Sequence, residues 1–286
     1  MKFFAANSPA RLALRRLVAD RMAFACLCVI ALYALIWFMS ATHLLPLDYA
    51  SRLGGSYDPP GGKFWFGTDL LGRDVLAKTV HGIQIAFSVG IIASLIAIPI
   101  GATLGALAGY FGGWVDATVV WLYTTVASVP QILLLISISF VAGRGITAVY
   151  VAIGLTSWVG ICRLIRGEIL KHREQDYVTA ARVLGAGDLR VIFRHVLPNL
   201  FHLVIIDFSL RFVSAIKSEV ILSYLGIGVQ GEPSWGIMIA DAREELLRGI
   251  WWQITAATGA MFFLVLALNI VGDSLRDILD PKYQEI

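Results

Sequence analysis

Long apolar runs alternate with polar stretches along this chain, and the length of the runs decides what they are. A helix rises about 1.5 Å per residue, so about 20 mostly apolar residues cross a hydrocarbon layer about 30 Å thick. Six stretches meet or approach that length: Ala23–Leu45, Ile83–Phe111, Val115–Val141, Ile146–Cys162, Leu200–Leu225 and Ile250–Val271. The first has no charge between Arg21 and Asp48 and follows a basic segment. It is too long for a signal peptide and lacks a clean small-x-small cleavage site, so it reads as a retained anchor. Pro130 predicts a kink in the third run. The fourth is short. The fifth carries Asp207, Arg211, Lys217 and Glu219.

Six spans place both termini on one side, and lysine and arginine choose the side. Segments 1–22, 163–198 and 273–286 together hold fourteen of them, against seven in the opposite loops. Cytoplasmic loops carry the excess of positive charge. Both termini and the loop 163–198 are therefore expected in the cytoplasm, with loops 46–82 and 226–249 outside. The division that follows is a tail 1–22, an anchor 23–45, an external loop 46–82, a core 83–272 and a tail 273–286.

Composition agrees with a lipid solvent. Of 286 residues, 58% are hydrophobic and only 15% charged, at a mean hydropathy of +0.75; soluble domains carry about a quarter charged residues. A net charge of +3 gives no reason to expect a nucleic-acid partner. Cys26, Cys28 and Cys162 lie in or beside apolar runs, with no Cys-x-x-Cys spacing, and read as packing residues. The five histidines are scattered, so no metal site is expected. No Gly-x-x-x-x-Gly-Lys-Ser/Thr occurs, which removes the usual phosphate cradle. No His-Glu-x-x-His or Ser-His-Asp set is visible either. Catalysis by this chain alone is not expected.

Within the cytoplasmic loop, Tyr177–Leu184 has good helix formers and an apolar face at Tyr177, Ala181 and Leu184. Asp176 can cap its start, and Gly185 suits a left-handed stop. Such a short amphipathic helix could lie on lipid headgroups or dock into a groove of a cytoplasmic partner. The residues alone leave both open.

Thr179-Ala180-Ala181, then Gly185, then Leu197-Pro198 resembles the Glu-Ala-Ala loop of ABC importer permeases, in which three residues separate Glu-Ala-Ala from Gly and Leu-Pro follows thirteen residues after it. Thr179 replaces the usual Glu, and His195 stands at a commonly aliphatic position. Further blocks resemble the dipeptide/oligopeptide/nickel branch: Phe66-Gly67-Thr68-Asp69-Leu70-Leu71-Gly72-Arg73-Asp74, Arg194-His195-Val196-Leu197-Pro198-Asn199, Leu222-Ser223-Tyr224-Leu225-Gly226-Ile227-Gly228, Pro233-Ser234-Trp235-Gly236, Gly272-Asp273-Ser274-Leu275-Arg276-Asp277 and Asp280-Pro281.

The resemblance implies an all-α, multi-pass permease bundle of the type I importer kind in a bacterial inner membrane. It implies a second homologous permease, two cytoplasmic ATPase subunits and an external substrate-binding protein. ATP and magnesium would belong to the ATPases, with no cofactor in this chain. Tyr177–Leu184 would enter an ATPase cleft and pass its stroke through Arg190–Pro198 to the fifth span. Peptides are the expected cargo, with nickel, glutathione or another small solute as alternatives. A secondary transporter or channel is the rival class, but no clear inverted repeat is visible.

Two sets of residues keep alternatives of their own. Asp207 and Arg211, four apart, share a helical face and can neutralise each other; Lys217 and Glu219, nearer the outer end, can snorkel. All four could instead line a substrate path, since charges at membrane depth default to a functional reading. Gly101, Gly105 and Gly109 also share a face, for close packing within this subunit or for a seam with the second permease. Outside, Leu70–Gly82 reads as an amphipathic helix entering the second span, with Asp69 near its start. Trp235–Leu247 reads as another, with Asp241, Glu244 and Glu245 as solvated charge or a surface for the binding protein.

Overall fold

A computed structural model describes residues 20–279 except His43 and Pro46; most of the basic N-terminal tail and Asp280-Pro281 lie outside these residues. The described residues form helices and loops, with one isolated bridge between Thr68 and Asp74 and no strand. In chain order the helices are α1 (Arg21–Ala41), α2 (Val75–Phe111), α3 (Gly113–Ser128), α4 (Gln131–Val141), α5 (Ile146–His172), α6 (Asp176–Val183), α7 (Phe201–Tyr224), α8 (Trp235–Leu246) and α9 (Trp252–Leu279). Five segments are long and apolar enough to cross a membrane, and α3 with α4 makes a sixth, bent by 92°.

Three expectations change here. The helix expected to enter the second span does so, but it begins at Val75 rather than Leu70, as the outer end of the 37-residue α2. Its cap is Asp74, whose carboxylate accepts from the Leu76 N–H at 2.9 Å, and Asp69 is left for other work. The kink expected at Pro130 is a near right angle. Proline forces the residue before it into extended backbone, and Val129 sits at φ −90°, ψ 132°. The fourth span is 27 residues long, because Arg163, Arg166 and Lys171 continue the helix past the apolar run. Arg166 finds a partner there: Asp116, at the start of α3, accepts from its Nε at 2.5 Å and Nη2 at 2.6 Å.

Gly101, Gly105 and Gly109 settle on packing within the subunit. A Cβ on Gly105 would meet the Cys162 carbonyl, and one on Gly101 or Gly109 would meet Trp158 or Arg166 backbone of α5. The three absent side chains let α2 and α5 approach backbone to backbone, and Cys162 is buried in the seam. Small residues serve this purpose where lipid offers no hydrophobic drive between helices. The α2–α5 pair is the spine of the protein.

α1 leans on α2 and α9 through three bonds. Tyr33 donates to the Ala260 carbonyl at 3.0 Å, Trp37 to Ser88 Oγ at 3.2 Å and Ser40 to Gln84 Oε1 at 2.7 Å. Its other face leaves Phe24, Leu32, Leu35 and Phe38 exposed, as a lipid-facing anchor requires.

Candidate functional site

The cytoplasmic loop folds as one helical staircase. After α6 comes Gly185 at φ +84°, a left-handed turn that a side chain would strain. A helical turn at Asp188–Arg190 then leads through a π-helical segment, Val191–Val196, and a 3-10 turn, Leu197–Leu200, straight into α7. Pro198 lacks an N–H and cannot sit in an ordinary helix interior. The change of helical pitch takes up its cost, and the rod stays continuous from residue 188 to 224. Val191, Ile192, Val196 and Leu200 are buried against Ala102, Ala106, Ile161, Ile165 and Ile169 of α2 and α5.

α6 hangs from this rod by a face that differs from the expected one. Val178 and Ala181 are buried, Tyr177 is half-buried, and Leu184 is 87% exposed beside Val183 at 82%. Asp176 is the first helical residue and Gln175 the cap, with no side-chain capping bond. Polar ties complete the seat. Arg182 Nε donates to Tyr110 Oη at 3.1 Å, and Tyr110 donates to Asp188 at 2.9 Å. His172 Nδ1 and Tyr177 Oη are 2.9 Å apart. Thr179, Ala180 and Arg194 remain exposed around the two apolar residues. The result is a knob fixed on its inner face and apolar at its free tip.

Charges on α7 separate into two groups. Glu219 does not snorkel: it is 1% exposed, Ser223 Oγ donates to it at 2.7 Å, and the same hydroxyl accepts from the Val229 N–H at 3.1 Å. It therefore anchors the external turn after α7 and faces no path. Asp207 and Arg211 do pair, through Nε and Nη2 of the guanidinium. Arg211, Ser214 and Lys217 follow one another at three-residue steps along α7, and Ser214 and Lys217 are exposed. Arg211 lies ten residues into α7, about 15 Å along it. Beside it the broken span leaves a cavity of about 390 Å³, walled by Pro130, Gln131, Thr156, Ser157, Arg211 and Ser214.

Outside, the Gly-Thr-Asp block is structural mortar. Lys78 is buried with its ammonium 3.0 Å from Asp69 Oδ2 and 2.9 Å from Gln253 Oε1. Asp69 Oδ1 accepts from the Leu71 and Arg73 N–H groups, each at 2.9 Å. Trp252 and Trp235 donate to the Thr68 and Thr79 carbonyls at 2.9 and 3.1 Å. Glu245 departs from the expected solvated cluster. It is 4% exposed, its Oε2 has no partner among the described residues, and burial pushes its carboxyl up to about 7. Residue types alone did not reveal the Lys78–Gln253 contact or the cavity at the break, because both depend on helices distant in sequence. No group of His, Cys, Asp or Glu suited to a metal occurs among the described residues.

Residues 101–285, which include the whole staircase, match the family model described as "Binding-protein-dependent transport system inner membrane component". The chain belongs to that permease family. Among curated relatives, the permease is 35% identical over 270 residues to the dipeptide transport system permease protein DppC of Bacillus subtilis, covering 94% of this chain and 84% of that one. It is 36% identical to the oligopeptide transport system permease protein OppC of Mycobacterium tuberculosis, over 96% and 95% of the two chains. It is also 36% identical to the glutathione transport system permease protein GsiD of Pectobacterium atrosepticum, over 94% and 89%. A chain of the inward-facing methionine ABC transporter MetNI shares its fold, with a TM-score of 0.55 at 18% identity, over 71% of this chain and 96% of that one. The permease is thus a multi-pass inner-membrane component of a binding-protein-dependent importer, with the type I importer fold.

Proposed function

We propose that this permease pairs with a second, homologous permease to form the path for peptides handed over by an external binding protein. Two cytoplasmic ATPase subunits, holding ATP and magnesium, drive the cycle; this chain holds neither. One ATPase receives α6 in a surface cleft, and Tyr177, Thr179, Ala180, Ala181, Leu184, Gly185, Arg194, Leu197 and Pro198 form or frame that contact. The observation that carries the reading is the knob itself. Val178 and Ala181 fix it to the bundle, while Val183 and Leu184 present bare apolar surface to the cytoplasm. A helix resting on headgroups would aim its apolar residues at the bilayer; here Val183 and Leu184 point away from the bundle.

Its rigidity makes the knob a lever. Closure of the ATPase pair displaces α6, and the uninterrupted rod 188–224 converts that displacement into a tilt of α7. Peptide cargo follows from the names of the dipeptide and oligopeptide relatives, and the polar stripe Arg211–Ser214–Lys217 supports a path on this face of α7. Exposed charge at membrane depth turns toward a water-filled passage or a partner rather than toward lipid.

The test is uptake into proteoliposomes holding the complete transporter, with binding protein and a labelled tripeptide outside. Uptake should require ATP inside the vesicle and cease without binding protein. Uptake that runs on an ion gradient with ATP absent would overturn the proposal.

A further inference from the structure

The Asp207–Arg211 pair leaves one edge of the guanidinium uncommitted, and Arg211 lines a cavity. Nε and Nη2 donate to Asp207, while Nη1 has no hydrogen-bond partner among the described residues. The side chains of Arg211 and Asp207 are only 11% and 13% exposed, so solvent screening is weak. Across the cavity, α4 starts at Gln131 after the 92° break. Its first acceptor, the Pro130 carbonyl, takes the N–H groups of Leu133 and Leu134. The Gln131 and Ile132 N–H groups precede any intrahelical acceptor, and no side chain caps them. Thr156 and Ser157 spend their hydroxyl protons on carbonyls of their own helix, and so offer only lone pairs.

Arg211, held in place by its own carboxylate and with a guanidinium edge free, and the uncapped N-terminus of α4 thus line one cavity. Both positive features suit an anion, and the planar N–H edge suits a carboxylate. The Asp207 carboxylate keeps the pair neutral, so the site can hold an anion without trapping it. This matters in a path, where binding must stay weak enough for release. Every unmodified peptide ends in a carboxylate, whatever its side chains. A permease that passes many peptides can read that group alone.

We propose that the cavity beside the α3–α4 break is a way-station for the C-terminal carboxylate of a peptide in transit, held by Arg211 Nη1 and the leading amides of α4. The proposal rests on the peptide-importer reading.

The test uses the complete transporter in proteoliposomes with a tripeptide free acid and its C-terminal amide, each at equal occupancy of the binding protein. Arg211→Gln should lower ATP-driven uptake of the free acid about tenfold, the size of a charge-assisted hydrogen bond. Uptake of the amide should fall no further than the amount of assembled complex does, and Arg211→Lys should restore most of the free-acid rate. The double variant Asp207→Asn/Arg211→Gln leaves no unpaired charge, and should show the same selective loss even where the single variant assembles poorly. An equal loss for both peptides in the double variant, or no loss for either, would overturn the proposal. If wild type moves neither peptide with ATP present, the peptide-importer reading falls and takes the proposal with it.

Discussion

Two ion pairs in this permease look alike on paper and differ in their surroundings. Lys78–Asp69 sits under the external loop with side chains 4% and 7% exposed, and its polar atoms are met by Gln253 and by backbone N–H groups. Asp207–Arg211 sits in a span, with a cavity on one side and a guanidinium edge unused. The first pair also lines a cavity, of about 380 Å³, but its carboxylate accepts from two backbone N–H groups and its ammonium reaches both Asp69 and Gln253. It ties the loop before α2 to α9. The second has bonding capacity left over, and spare capacity in a low-dielectric place invites a ligand. What separates the two pairs is how far the protein itself uses their hydrogen-bonding potential.

The comparison breaks most visibly at the Lys78–Asp69 pair. Lys78→Met strands the Asp69 carboxylate and should cost about 3–5 kcal/mol, as removing one partner of a buried pair does. The expected readout is loss of assembled complex in detergent extracts, whereas Arg211→Lys should leave assembly near wild type. Next comes the spine. Gly105→Leu drives a side chain into the Cys162 carbonyl. It should cost about 1–3 kcal/mol of overpacking, read as a lower thermal midpoint of the purified complex.

A third, smaller effect concerns Glu245, which is buried like Lys78 but unpaired. Its carboxyl titrates near 7 when folded, against an ordinary 4.5, because burial penalises the charge. The folded state therefore holds the proton more tightly than the unfolded chain. Stability falls as pH rises from 4.5 to about 7. Glu245→Gln should flatten that decline and raise the thermal midpoint at pH 8 by about 2–4 °C, with little change near pH 4.5. A decline of the same steepness in both proteins would place its origin elsewhere.

Much of the fold could be read from the chain because lipid makes strict demands. A run such as Ile250–Val271 has no soluble explanation, and lysine and arginine placement orders the loops. The loop 163–198 was legible through spacing, with Gly185 at the predicted left-handed stop. Legibility failed where charge is used inside a helix. Arg163 and Arg166 look like the start of a loop, yet α5 carries them because Asp116 waits on α3. Glu219 looks like a snorkelling residue until Ser223 and the turn at Val229 close over it. Pro130 announces a bend, but its angle depends on how α4 packs against α5. The apolar face of α6 was misread at Leu184 for a similar reason. Eight residues allow more than one stripe, and contact with Val191 and Ile192 selects Val178 and Ala181.

The central claim is that the motor's stroke enters through the free tip of α6. It is tested most directly by purifying the complete transporter with Val183→Asp and Leu184→Asp, then measuring ATPase content and ATP-driven uptake on the same sample. Both side chains are exposed, so the bundle should fold as before. One of the two ATPase copies should be lost or bound weakly, and uptake should fall to background. Full ATPase content with wild-type uptake would contradict the account.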